Sequence, residues 1–329
     1  MSQIGIPDID PALEKELLAS MAEVESFLRE AIEGKYPLVI ETSRHLVDAG
    51  GKRLRPLLTL IASQFGDPKA QGIIEAAVVC ELTHLGTLYH DDVMDEAPLR
   101  RGVASANNRW NNTVAILTGD YLFAKTSQLL ADLGPEAVRL QALTFERLVI
   151  GQITETQGSS SGKTQLEHYL SVVADKTGSL ISASARYGAM ISGADAKIMD
   201  ALTKFGEEIG IVFQLADDII DITSDSKESG KTPGTDLREG VPTLVTLFIL
   251  ESEDPADLEL KKILSAPITD EVIVQEVIAK LRNHSALAKS RELVAKYGQS
   301  AQEHLKTLPE GSAKAALVGL SQAVISRTS

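Results

Sequence analysis

Two acidic clusters of the same form, Asp91-Asp92-Val93-Met94-Asp95 and Asp217-Asp218-Ile219-Ile220-Asp221, interrupt stretches that are otherwise apolar and helix-patterned. In each, the first and last aspartates are four residues apart, so on a helix they stand on one face, one turn above the other. Both clusters lie near predicted helix C-termini, where the backbone dipole disfavours a carboxylate by roughly 0.3–1 kcal/mol. A single acidic triplet is ordinarily a solvated face. Two such stripes facing one another would instead form a cage for divalent cations. Carboxylates without His or Cys select a hard ion such as Mg²⁺, which keeps several waters and binds jointly with substrate phosphates. The implied substrate is a phosphate or diphosphate ester.

Apolar residues recur three and four apart along nearly the whole chain, and alternating β-branched runs are scarce, so the predicted fold class is all-α. Helices are predicted over about 10–34, 37–50, 54–65, 71–93, 113–133, 135–156, 165–193 with a break at Lys176-Thr177-Gly178, and 196–222. Segment 224–242 reads as a loop directly after the second cluster, where a lid would be useful, and four or five helices are expected over 244–325. No linker-like stretch divides the 329 residues, so one domain over 1–329 is expected, with 1–9 as a flexible lead-in.

The balance of 32 basic against 46 acidic residues, net −14, argues against a nucleic-acid partner. Small phosphates need only a local cationic pocket, and the candidates are grouped: Lys52, Arg53 and Arg55 after Gly50-Gly51, then Arg100-Arg101-Gly102 just past the first cluster. No apolar run has transmembrane length and no signal-peptide pattern is present. The single cysteine, Cys80, suits a reducing compartment, so a cytoplasmic location is expected, with transient membrane contact for product release. Gly158 to Thr164 mimics a P-loop but has three residues between its glycines instead of four, and no strand precedes it. The histidines include no paired zinc spacing.

Taken in order, the motifs resemble the trans-isoprenyl diphosphate synthase (polyprenyl synthetase) family, most of all its medium- and long-chain all-trans members, from about residue 30 to the C-terminus. They are Gly50-Gly51-Lys52-Arg53-Leu54-Arg55-Pro56, Glu81-Leu82-Thr83-His84, the first aspartate motif with Arg100-Arg101-Gly102, Gly119-Asp120, Lys176-Thr177-Gly178, Phe213-Gln214 with the second motif, and Gly230-Lys231. Each is common alone; the ordered set is specific. The resemblance implies the isoprenoid synthase fold, a helical bundle around a central cavity, with three Mg²⁺ ions against an allylic diphosphate primer. By position it implies Asp91, Asp95, Asp217 and, through water, Asp221 as metal groups. It places Arg100, Lys176, Thr177, Gln214 and Lys231 on the allylic substrate, and Lys52, Arg55, His84 and Arg101 on isopentenyl diphosphate. Asp91, Asp95, Asp217, Lys176 and Lys231 would serve catalysis by stabilising the charge that develops on the departing diphosphate. The resemblance also implies a homodimer. One departure stands out: many members read Gly-Lys-Pro-Thr where this chain has Gly240-Val241-Pro242-Thr243, so weaker substrate grip is expected.

In the family, product length is governed by the first bulky side chain below the first aspartate motif, commonly five residues before it. Here that residue is Gly86, which has no side chain. One prenyl unit is about as long as one helical turn, roughly 5 Å, so Leu82, Val79 and Val78 become the candidate stoppers, and a C30 to C50 product is expected, a quinone side-chain precursor. The rival readings are a short-chain synthase making farnesyl or geranylgeranyl diphosphate, with a floor from another helix near Leu117 or Phe123, and a noncatalytic partner subunit. The second is disfavoured by two whole aspartate motifs. A terpene cyclase is disfavoured by an aromatic content of 4%.

Overall fold

The Asp10 carboxylate accepts hydrogen bonds from the amides of Ala12 and Leu13, both at 3.0 Å, and Pro11 supplies a preset first residue, so the first helix, α1, runs Pro11–Ala31. The computed structural model describes residues 2–159, 162–223 and 233–328. Helices follow at α2 (Pro37–Asp48), α3 (Leu54–Ser63) and α4 (Ile73–Met94). A two-stranded hairpin comes next, β1 (Leu99–Arg100) and β2 (Val103–Ala104), then α5 (Ala106–Arg109), α6 (Asn112–Leu133) and α7 (Pro135–Gln157). Helix α8 (Gln165–Val173) starts on a reciprocal Thr164–Glu167 cap, passes through a wide π-helical turn at Ala174–Gly178, and continues as α9 (Ser179–Ile191). The long α10 (Ala196–Thr223) precedes α11 (Thr235–Glu239), α12 (Leu244–Leu250), α13 (Leu258–Leu264), α14 (Glu271–Arg282), α15 (Ser285–Leu305) and α16 (Ser312–Ser326). The all-α class holds, and among the described residues the hairpin is the only sheet.

Two helices carry the aspartate clusters through the middle of the molecule. Helix α4 is buried all round, with Ile73, Ala77, Val78, Leu82, Leu85 and Tyr89 in the main core, and it lies against α1, α3, α6 and α9. A helix apolar on every side belongs inside a bundle, where each fully buried Val or Leu contributes about 1.5–3 kcal/mol. Helix α10 packs on α9, α15 and α16. Its approach to α9 depends on small residues: a Cβ at Gly206 would lie 2.8 Å from Cα of Ser182, and one at Gly210 2.8 Å from Cα of Gly178. Residues 2–9 are not a free lead-in, because Ile6 and Ile9 are buried and Ile6 abuts Gly319 of α16.

Candidate active site

Both aspartate stripes open onto the same space. Asp91 and Asp217 line one cavity of about 530 Å³, together with Lys52, Arg55, His84, Arg100, Arg101, Lys176, Thr177 and Gln214. A second chamber of about 660 Å³ shares Lys176, Thr177 and Gln214 with the first and adds Asp95, Glu155, Asp218, Asp236, Glu239 and Val241. Glu239, on α11, is held above the ordinary carboxylate range by burial and by the charges of Asp95 and Asp221, one from each cluster. Glu239 therefore lies within electrostatic reach of both acidic walls.

Within each cluster the residues divide their tasks. Asp91 has its carboxyl pushed up to about 6 by burial, against the pull of Lys176, while Asp95 one turn away adds to the rise. A desolvated carboxylate beside a like charge is a position that a cation relieves. The middle aspartates turn inward. Asp92 is fully buried and accepts a 2.6 Å charge-assisted bond from Arg100 Nε. Asp218 is also buried and accepts from the Tyr169 hydroxyl, from Gln214 Nε2 at 3.1 Å and from the Leu244 amide at 3.3 Å. Burial still leaves its carboxyl at about 6. In the second wall, Asp217 bonds Arg327 Nη2 at 2.5 Å, and Asp221 accepts the amides of Thr235 and Asp236 at the start of α11.

No three acidic, histidine or cysteine side chains among the described residues converge into a ready-made cation site. Each wall instead offers carboxylates one helical turn apart, and water with a ligand's own oxygens would complete a coordination shell around an ion held there. That donor set fits Mg²⁺, which is held by one or two carboxylates plus substrate phosphates.

The cationic lip is built by backbone geometry. Gly50 (φ +85°), Gly51 (φ +149°) and Arg53 (φ +48°) bend the chain before α3, and a Cβ at Gly51 would sit 2.9 Å from the Arg101 guanidinium carbon. Opposite, Arg101 (φ +53°) and Gly102 (φ +78°) form the two-residue turn of the hairpin, where both central residues need positive φ. Arg101 hydrogen-bonds the carbonyls of Leu46 and Gly50 and pairs with buried Glu81 at 3.5 Å. Glu81 also takes Arg53 Nη1 at 2.8 Å. Arg53 pairs with Glu25 as well, at 2.5 Å, so Lys52, Arg55 and Arg100 are the further cations that line this end of the cavity. Arg55 has a buried Nε with no hydrogen-bond partner. His84 is held well below its ordinary value by burial and by Arg55 and Arg101, so the ring is neutral at pH 7. Lys176 sits on the π-helical turn, a feature common at functional sites, and pairs with Glu155 at 2.6 Å.

The expected stoppers on α4 do not line the cavity, and the side chain beside Gly86 is Phe123, the position the rival reading named. Leu82 and Val79 are fully buried in helix packing and do not line the cavity. The space beside Gly86 belongs to Phe123 of α6: a Cβ at Gly86 would meet three of its ring carbons at 2.8–3.2 Å. Phe123 stands 4.7 Å, centroid to centroid, from Phe145 of α7, and both rings line the cavity. The physical reason is lateral: glycine on α4 opens room that an aromatic ring from the adjacent helix fills. Lys231, and Gly230 beside it, lie outside the described residues. Asp92, Asp218, Glu155, Asp236, Glu239, Phe145 and Arg327 were missed as site residues. The doubled aspartates could have flagged the first two, since a pair on successive helix positions cannot face the same way.

The chain matches the family model described as Polyprenyl synthetase over residues 36–281. The chain belongs to the polyprenyl synthetase family. It is therefore a trans-prenyltransferase, with the all-α isoprenoid synthase fold. A nonaprenyl diphosphate synthase of Mycobacterium tuberculosis is 46% identical over 310 residues, covering 94% of this chain and 92% of that protein. A geranylgeranyl pyrophosphate synthase from Corynebacterium glutamicum, solved with calcium and isoprenyl diphosphate, has a TM-score of 0.87 at 42% identity and covers 97% of this chain and 98% of its own. A decaprenyl diphosphate synthase from Rhodobacter capsulatus has the same TM-score at 31% identity, covering 97% and 99%. No helix among the described residues is long and apolar enough to cross a membrane.

Proposed function

We propose that this enzyme condenses an allylic diphosphate with successive isopentenyl diphosphates into an all-trans polyprenyl diphosphate, in a Mg²⁺-dependent reaction. The observation that carries the reading is the meeting of Asp91 and Asp217 on one cavity whose other lip is Lys52, Arg55, His84 and Arg101. Asp91, Asp95 and Asp217, with Asp221 through water, would hold three Mg²⁺ ions. Bound there, the ions supply charge neutralisation for the leaving diphosphate.

The chain's own residues account for the remaining chemistry. Lys176, Thr177, Gln214, Arg100 and Lys231 hold the allylic diphosphate so that its C1–O bond breaks with the electron pair leaving on the diphosphate. Lys52, Arg55, Arg101 and neutral His84 orient the isopentenyl diphosphate, whose double bond attacks C1. The proton then lost passes to the released diphosphate, so no side-chain base is needed. Apolar walls at Leu88, Leu148, Leu180 and Phe213 keep water from the carbocation.

Two readings of product length have separate support. The nonaprenyl and decaprenyl names of the relatives favour C30 to C50, a quinone-tail precursor. The Phe123–Phe145 pair beside Gly86 favours C15 to C20. Homodimerisation is supported by Leu117, Leu143, Ile150 and Ile153, large apolar side chains exposed on α6 and α7. Light scattering on the purified protein checks this state, and a monomer at micromolar concentration would refute it. Pure protein incubated with isopentenyl diphosphate and C5, C10 and C15 primers, with and without Mg²⁺, tests the main reading. Chain extension that disappears on chelation is expected; no extension from any primer overturns it. Product sizing of Phe123→Ala then separates the lengths. A shift upward makes the ring the floor, and unchanged C30–C50 products show that the chain grows past it.

A further inference from the structure

The C-terminal turn reaches the second acidic wall. Arg327 follows the last residue of α16, and its Nη2 lies 2.5 Å from Asp217 Oδ1, across 110 positions of sequence. Its guanidinium carbon is 5.0 Å from the centroid of the Phe213 ring, which also carries Lys52 Nζ at 5.2 Å. The backbone beneath it is tied down: Arg291 Nε of α15 bonds the Thr328 carbonyl at 2.7 Å, and the Thr328 hydroxyl bonds the Ile325 carbonyl at 2.9 Å. The other terminal nitrogen, Nη1, is buried and has no hydrogen-bond partner.

That last fact decides between two roles. A purely structural arginine satisfies both ends of its fork, because a buried unpaired donor is costly. Arg327 spends one nitrogen on Asp217 and leaves the other without an acceptor. Its ion pair is still about a quarter open to solvent, 27% for Arg327 and 28% for Asp217, so a cation and water can reach Asp217 and compete for it. Among the described residues, Asp91 in the first wall has no such ion pair; Lys176, whose charge it feels, pairs with Glu155 instead.

We propose that Arg327 is an internal counter-ion for Asp217 that a divalent cation must displace, so that metal loading of the second wall and the C-terminal contact exclude one another. The inference rests on the reading of Asp217 as a metal group. With Asp217 neutralised at rest, the second wall takes up its cation less readily than the first. Because Arg291 anchors the backbone, displacement is a side-chain movement over the face of Phe213 and needs no unfolding of α16.

Calorimetric titration of the full-length protein with Mg²⁺ alone, without substrates, tests it. Arg327→Gln should bind Mg²⁺ about fivefold more tightly than wild type, the size of one partly exposed ion pair. Arg327→Lys should fall between them. In an Asp217→Asn background, Arg327→Gln should leave Mg²⁺ affinity unchanged. A second readout follows from linkage: Arg327→Gln should lower the melting temperature of the metal-free protein, and saturating Mg²⁺ should shrink that difference. Equal or weaker Mg²⁺ binding in Arg327→Gln, in a protein that still condenses its substrates, overturns the counter-ion role and leaves the prenyltransferase reading intact. Mg²⁺ affinity unchanged by Asp217→Asn alone would instead overturn Asp217 as a metal group.

Discussion

The two acidic walls share a sequence pattern and differ in how the protein treats them. On α4, Asp91 is desolvated, with its carboxyl at about 6. On α10, Asp217 is met by Arg327 and Asp221 by the amides of Thr235 and Asp236. One wall is left wanting charge; the other is supplied from within the chain. In both, the second aspartate faces the interior, Asp92 fastening Arg100 and Asp218 fastening Tyr169, Gln214 and the start of α12. Identical motifs therefore encode the same division of labour within each wall and different resting electrostatics between them.

If the walls act together in turnover, Asp91→Ala and Asp217→Ala should each lower kcat by about 10²–10³-fold or more, the scale for removing a preorganised electrostatic group. Circular dichroism should show helicity intact. Undiminished turnover in either variant would remove that wall from the reaction and break the symmetry.

The inward aspartates should cost stability in place of chemistry alone. Asp92→Ala strands Arg100 beside a buried cavity, and breaking a buried pair costs about 3–5 kcal/mol. Urea denaturation should show a loss toward the lower end, since Arg100 is 30% exposed. A variant as stable as wild type would make Asp92 a surface-like residue.

The strained wall should show itself in pH dependence. The folded-state value of Asp91 stands above the ordinary 3.8, so the metal-free protein keeps that proton longer than the unfolded chain does. Stability then falls as pH rises from about 4 to about 6 and stays lowered above that window. Asp91→Asn should raise the melting temperature of the metal-free protein by about 2 °C at pH 7.5 and leave it unchanged near pH 4. On the proposal that Asp91 holds Mg²⁺, the same substitution should lower activity, so stability and activity would move in opposite directions. A lower melting temperature at pH 7.5 would contradict the desolvation of Asp91.

The smallest effect belongs to the missing lysine. Val241 is exposed and lines the chamber shared by Asp95 and Lys176. Val241→Lys should lower KM for the allylic substrate by about two- to fivefold with little change in kcat, the worth of one solvent-exposed charge pair. An unchanged KM would show that the cations already present saturate the diphosphate.

Much of this architecture was legible because it is written in local periodicity. The helix carrying Ile209, Val212, Phe213, Ala216 and Ile219 was read within a residue or so of its observed end, and the break at Lys176–Gly178 fell on the π-helical turn. What stayed hidden was lateral. Strands of two residues, 99–100 and 103–104, are too short to alternate visibly, so the hairpin that aims Arg101 left no pattern. Gly86 read as an open shaft, with Phe123 only in the rival reading, because no local pattern decides which helix lies across a glycine. Arg327 reaches Asp217 through the packing of α16 on α10, which no window of sequence contains. The inward turn of Asp92 and Asp218 likewise depends on which neighbours arrive.

The π-helical turn at Ala174–Gly178 has a consequence for how Lys176 is aimed. A turn of this kind holds one residue more than the helix around it, and each residue advances an α-helix by about 100°. Deleting one uncharged residue there should rewind the segment into continuous helix, turning Lys176 away from the cavity while the helix beyond keeps its bearing on α10. The bundle thus carries a one-residue surplus whose spare length aims Lys176, and a deletion that changes no charge should be enough to misdirect it.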